Sequence, residues 1–211
     1  MELGKVLIDI GYALLAINTI LYFVNCRNKT IAYKAIVLYL IVTSVVQFYS
    51  HSLSIKGDYN LFLTHYYFIG QFLAVSVFFY KTLTNKTIKK IICFVPLTVI
   101  IALSIQYFKN PEIYYTFNLF EILITSVPIL IYCFSFIVQQ ISNPEKKFIY
   151  FVSGLFSYIL CSTLIFLAGN ITGGVQVVLW KVNNSLYIVF QLLIFLEWYK
   201  NFRKKRLINL T

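Results

Sequence analysis

Long apolar runs separated by short polar breaks recur along the whole chain. Each run is long enough to cross about 30 Å of hydrocarbon, which takes roughly 20 helical residues. The runs cover 5–25, 32–50, 61–82, 88–108, 112–139, 147–168 and 175–199. They predict an all-α integral membrane protein, a bundle of seven transmembrane helices forming one domain over 1–211. No break is large enough for a second domain. The first run has the position of a signal peptide, but Asp9 and Asn18 interrupt it and no small-residue cleavage site follows, so it reads as a span. Asn28-Lys-Thr and Asn85-Lys-Thr precede the second and fourth runs, and Asn143-Pro-Glu precedes the sixth. Asn and Thr cap helix starts and Pro suits a first turn.

Within the runs, polar residues spaced i, i+3, i+4 and i+7 share one helix face and so point into the bundle together. Helix five carries the fullest stripe, Tyr114, Asn118, Glu121, Thr125, Pro128 and Tyr132. Helix seven has Lys181, Asn184 and Gln191; helix two has Thr43, Gln47, Ser50 and His51; helix three has Thr64, Tyr67 and Gln71. On helix one, Lys5, Asp9, Tyr12 and Thr19 form the stripe, with Lys5 and Asp9 at ion-pair spacing. Helix four shows no stripe. Gly154, Ser157 and Cys161 mark a close-packing seam on helix six.

Counting 1.5 Å per residue from each outer end puts Asp9, Gln47, His51, His65, Asn118, Glu121, Lys181 and Asn184 in one half of the membrane. Gln71 and Gln191 fall near its middle. The expected ligand-binding set is therefore Gln71, Asn118, Glu121, Lys181, Asn184 and Gln191, with Asp9, Gln47, His51, His65 and Tyr67 around it. An ionisable group at the bilayer centre costs at least about 2.5–3.5 kcal/mol. Glu121 is thus expected to pair with Lys181, at equal depth. His51 and His65 read as ordinary interfacial histidines, Asn183 as pointing away from Lys181 toward a neighbouring helix, and Glu197 as pairing with a basic rim.

Composition agrees with the pattern: the chain is 60% hydrophobic and 12% charged, with mean hydropathy +0.79, about half the charged fraction of a soluble domain. A net charge of +11 would point to nucleic acid in a soluble protein, but here its placement carries the information, and no nucleic-acid partner is expected. Arg27, Lys29 and Lys34, then Lys81, Lys86, Lys89 and Lys90, then Lys146 and Lys147, then Lys200, Arg203, Lys204, Lys205 and Arg206 all fall on one side, against Lys56 and Lys109 in the even loops. By the positive-inside rule the N-terminus is outside and the C-terminus cytoplasmic, and the expected location is the bacterial inner (plasma) membrane. The four cysteines, Cys26, Cys93, Cys133 and Cys161, lack metal or disulfide spacing and read as packing residues.

Helix two aligns with helix six from Lys34 and Lys147, and helix three with helix seven through Gln71 and Gln191. This predicts a 3+1+3 parallel repeat with helix four as linker. The layout, not the sequence, resembles the sugar exporters called SWEETs, whose parallel repeats lie about an axis along the membrane normal. Their Pro-Gln motif is absent, since Leu97 follows Pro96 and Ile129 follows Pro128, so no residue role carries over. A retinal pigment is excluded by the lack of an acid in helix three to neutralise Lys181.

The leading expectation is a permease for a small polar solute, working by alternating access. The alternatives are a receptor-like module that signals to a cytoplasmic partner protein, or a membrane accessory protein. No HExxH or GxSxG motif or metal cluster is present, and Asp9 and Glu121 stand on different helices, so neither metal nor cofactor is expected. An intramembrane enzyme acting on lipids is a further reading, since two histidines and two acids can still meet in space, and the lipid bilayer is the expected partner.

Overall fold

A computed structural model describes residues 2–24, 26–141, 146–168 and 174–203. The chain forms seven α-helices: α1 (Glu2–Val24), α2 (Ile31–Lys56), α3 (Leu63–Thr82), α4 (Lys86–Lys109), α5 (Leu119–Ile141), α6 (Ile149–Leu167) and α7 (Gly174–Asn201). A 3₁₀ helix, Pro111–Tyr115, stands between α4 and α5, and the described residues contain no strand. Six of the seven helices are long and apolar enough to cross a membrane. The exception is α3, where His65, Tyr66, Tyr67 and Gln71 dilute the apolar run. It can carry them because α2, α5 and α4 cover it, leaving half of its residues buried.

The local sequence explains the ends. Thr30 accepts the Tyr33 N–H at 3.3 Å to cap α2, and Asn85 Oδ1 accepts from Thr87 N and Ile88 N at 2.8 and 3.3 Å to cap α4. The Asn143 cap expected for helix six and the basic residues Lys204, Lys205 and Arg206 lie outside the described residues. Helix two runs beyond residue 50, because nothing in Ser50–Lys56 breaks it until Gly57 turns left-handed at φ 76°. Helix five starts later than residue 112. Pro111–Tyr115 closes as a separate turn, and Asn118 opens α5, accepting from Glu121 N at 3.3 Å.

Neighbours in space follow the order α1, α2, α3, α5, α6, α7 and back to α1, a closed ring. Helix α4 stands outside it, against α3, α5 and the 3₁₀ helix. That position accounts for its missing stripe, since only Ile92, Val99 and Leu103 are buried along it. On α1 the inward face is Leu15, Asn18 and Tyr22, with Gly11 against Tyr187; of the stripe expected from the sequence, Tyr12 packs against Phe48 and His51 of α2 and Thr19 meets Ser44 at 2.8 Å. Lys5 and Asp9 are exposed, and no ion pair joins them among the described residues.

The two ends of the ring differ. At the end where α1 begins, here the amino end, the helices part around a cavity. At the carboxyl end they are sealed by large buried rings, among them Tyr22, Tyr33, Phe78, Phe79, Phe136 and Phe151, each no more than 1% exposed. Lys29 Nζ lies 5.6 Å from the Phe202 ring centroid and Lys200 Nζ 5.7 Å from that of Tyr150, so the basic residues ring the sealed end. Of the small residues expected to form a seam on α6, Gly154 packs against α7, where a Cβ would meet Phe190 Cδ2 at 2.9 Å and Leu193 Cδ1 at 3.0 Å; Ser157 is exposed and Cys161 half-buried.

Candidate functional site

The amino-end cavity has a volume of about 220 Å³ and is walled by α1, α2, α3, α6, α7 and Phe117. Gly11, on its wall, lets α1 approach the Tyr187 ring closely. Tyr12 and Tyr187 stand on the α1 and α7 side, Tyr67 and Phe68 on α3, Tyr158 and Phe166 on α6, and Trp180 at the mouth. Polar atoms come from Gln47 and Ser50 of α2, Thr64 of α3, and Asn183 and Asn184 of α7. Asn183 therefore faces the cavity, not a neighbouring helix, and its Oδ1 has no hydrogen-bond partner. A smaller space of about 10 Å³ continues below, sharing Tyr67, Phe68, Tyr158 and Phe166 and adding Gln71, Ser126, Ser162 and Thr163. It has room for about one water.

Deeper still, Asn18 Nδ2 donates to Gln191 O at 2.8 Å and to Gln191 Oε1 at 2.9 Å. Both residues are fully buried. This is a polar tie between α1 and α7 in the middle of the ring. Gln191 was legible as inward-facing; Asn18 was not, because the stripe read on α1 was turned away from it.

A second polar centre lies behind α3, outside the ring. His65 Nδ1 is 2.7 Å from Glu121 Oε2, the only ion pair among the described residues, and the carboxylate is 1% exposed. Tyr107 of α4 donates to the same oxygen and lies 2.8 Å from His65 Nδ1. His65 Nε2 is 3.1 Å from the Tyr114 carbonyl; a carbonyl can only accept, so Nε2 carries a proton. A proton between Nδ1 and Oε2, on either atom, makes the pair neutral overall. Neutrality removes the main cost of placing Glu121 in the bilayer.

Asn118 and Gln106 extend this centre, with Asn118 Nδ2 donating to Gln106 Oε1 at 2.9 Å and Gln106 Nε2 to Asn118 Oδ1 at 3.4 Å. Outside the spans, the Tyr66 hydroxyl 3.0 Å from Tyr114 and partial burial push the Tyr114 phenol up to about 12.

The structure therefore divides the residues that the sequence gathers. Asn184, Gln47 and Tyr67 line the cavity and Gln71 the space below it. Asn118 and Glu121 belong to the centre behind α3, where His65 is the partner of Glu121 and not an interfacial residue. Lys181 is half-buried, lines neither space, and makes no ion pair with Glu121; α6 stands between α5 and α7 in the ring. Gln191 is engaged with Asn18. Asp9 is exposed, and His51 packs edge-on against Tyr12 at 5.0 Å. Gln106 and Tyr107 were not legible, because they stand near the carboxyl end of α4, which shows no periodic polar stripe.

Fold and site define a multi-pass helical membrane protein whose helix bundle encloses a polar and aromatic cavity at one end. No protein-family model matches the chain, and neither a curated protein nor a solved structure does.

Proposed function

We propose that the chain is a small-solute permease whose cavity opens to the outside. The observation that carries this reading is the run of buried polar groups beneath the cavity. Gln71, Asn18, Gln191 and Thr43 are each no more than 3% exposed, and Asn18 Oδ1 and Gln71 Oε1 have no partner. Buried polar groups without partners cost about 1–3 kcal/mol each, an expense that a rigid plug has no reason to bear and a solute pathway does. The basic residues at the sealed end support an N-outside orientation. The ring splits into α1–α3 and α5–α7 with α4 outside, so rocking of one triad on the other, as in parallel-repeat transporters, is the proposed movement.

Accessibility tests this. In a background where Cys26, Cys93, Cys133 and Cys161 are replaced, Asn184→Cys reports the cavity and Ser76→Cys, buried on α3, reports the sealed half. A permease labels Asn184→Cys with impermeant maleimide from the outside and Ser76→Cys from the cytoplasmic side. One observation favours a receptor-like module that binds outside and signals to a cytoplasmic partner: the depth of the aromatic seal. In that case Ser76→Cys stays unlabelled from the cytoplasmic side under every condition.

A further inference from the structure

The chemistry of the cavity wall selects among solutes. Eight of its eighteen lining residues are aromatic, and none of these described residues carries a formal charge. Glu121 and His65 are engaged with each other behind α3, His51 packs on the Tyr12 ring without lining the cavity, Glu197 lines no part of it, and Lys181 does not reach the wall. An ionised solute leaving water for this site would lose hydration worth several kcal/mol and find no counter-charge. For a cation the rings offset part of that loss, about 2 kcal/mol when desolvated. A flat apolar body meets the same rings by stacking and edge contacts at no such penalty.

One polar atom asks for a specific complement. Asn183 is 7% exposed and lines the wall; its carbonyl oxygen is itself buried and accepts from no group in the protein, and a half-turn of the side-chain amide brings it to the cavity. A hydrogen-bond donor on the solute would satisfy it. Size gives the last constraint. A dry cavity of about 150 Å³ admits benzene, so about 220 Å³ admits one ring with a substituent or two fused rings.

We propose that the cavity binds a small uncharged aromatic molecule bearing one N–H or O–H donor, of the phenol or indole class, with its donor on Asn183 Oδ1 and its ring among Tyr67, Phe68, Tyr158, Trp180 and Tyr187. This assignment rests on reading the cavity as the solute site.

The test is protection of Asn184→Cys from maleimide in the full-length protein in lipid nanodiscs, a readout confined to the cavity wall and insensitive to probe dissolved in the bilayer. Phenol and indole slow labelling saturably. Toluene, which has the ring without the donor, requires about tenfold more for the same protection, the weight of one hydrogen bond. Benzoate and benzyltrimethylammonium leave the rate unchanged. Adding Asn183→Leu erases the difference between phenol and toluene. Should that variant not fold, the phenol, toluene and charged-probe comparison in Asn184→Cys alone decides.

Stronger protection by either charged probe, or equal protection by phenol and toluene, overturns the assignment. Labelling of Ser76→Cys from the cytoplasmic side with no protection by phenol or indole sinks the ligand class and leaves the permease. Protection by phenol without any cytoplasmic labelling supports the class and sinks the permease.

Discussion

The carboxylate of Glu197 on α7 closes the first turn of α6 around Phe148. Its Oε1 accepts the Phe148 N–H at 2.7 Å, and its Oε2 accepts from Tyr150 N at 3.0 Å and Phe151 N at 3.4 Å. The side chain is fully buried and Asn201 Nδ2 adds a bond to Oε1 at 2.6 Å. Glu197 is thus a cap delivered from another helix, not a partner of the basic rim. The first amides of a helix lack partners of their own, and a negative charge suits that end. The cap also holds Phe148 at φ 67°, the only described non-glycine residue with positive φ.

Removing that cap is expected to be costly because three amides lose their acceptor in a water-poor setting. Glu197→Ala should destabilise the fold by about 2–4 kcal/mol, and Glu197→Gln, which keeps one acceptor, by less. Unfolding in mixed micelles measures both. Equal stability of Glu197→Ala and the wild type would remove the cap from the account.

The pairing of Glu121 sets up a second test. His65 Nδ1 and Glu121 Oε2 lie 2.7 Å apart, so single changes to Ala and Gln each leave a buried polar group unmet, and the pair should show a coupling energy of about 1–3 kcal/mol. Lys181→Met should change stability by no more than about 0.5 kcal/mol, with no coupling to Glu121→Gln. A double-mutant cycle on thermal unfolding checks both statements, and coupling of Glu121 to Lys181 would contradict the arrangement.

What the sequence makes legible follows from what lipid demands. A span in hydrocarbon must be long, apolar and internally hydrogen-bonded, so the helices are readable, and α3 deviates because protein surrounds it. The stripes of α2, α3 and α5 are readable too: Thr43, Gln71, Glu121 and Thr125 are all buried. Partnership is not readable. Depth places Glu121 and Lys181 at one level, but ring order decides which side chains meet, and α6 intervenes. Glu197 shows the same limit, since Lys146-Lys147-Phe148 contains no local cap and its acceptor comes from 49 residues away. On α1, Asp9 drew the stripe outward, although Gly11, Leu15, Asn18 and Tyr22 are at core spacing.

The α6–α7 seam predicts a graded response to side-chain size. A methyl on Gly154 meets Phe190 and Leu193 at 2.9–3.0 Å, so Gly154→Ala should cost about 1–3 kcal/mol and Gly154→Ile should prevent folding. Gly4, with nothing within 4 Å of an added Cβ, is the matched control, and Gly4→Ala should be neutral. Equal effects at the two glycines in a melting experiment would mean that the seam is looser than its geometry.

The tie between Asn18 and Gln191 separates binding from passage. It lies beneath the cavity, lines no part of it, and joins α1 to α7 through two bonds from a single amide. Interhelical bonds of this kind in membranes are worth about 0.6 kcal/mol and at most about 1.7, so Asn18→Leu should fold with a modest loss of stability. Leucine also places an apolar side chain where a permease would need a polar step and where a receptor needs only packing. For a permease, protection of Asn184→Cys by a bound solute should persist in Asn18→Leu, while labelling of Ser76→Cys from the cytoplasmic side falls at least tenfold. Unchanged labelling of Ser76→Cys would show that the route, if there is one, does not pass Asn18, and the buried polar groups would then need a structural explanation.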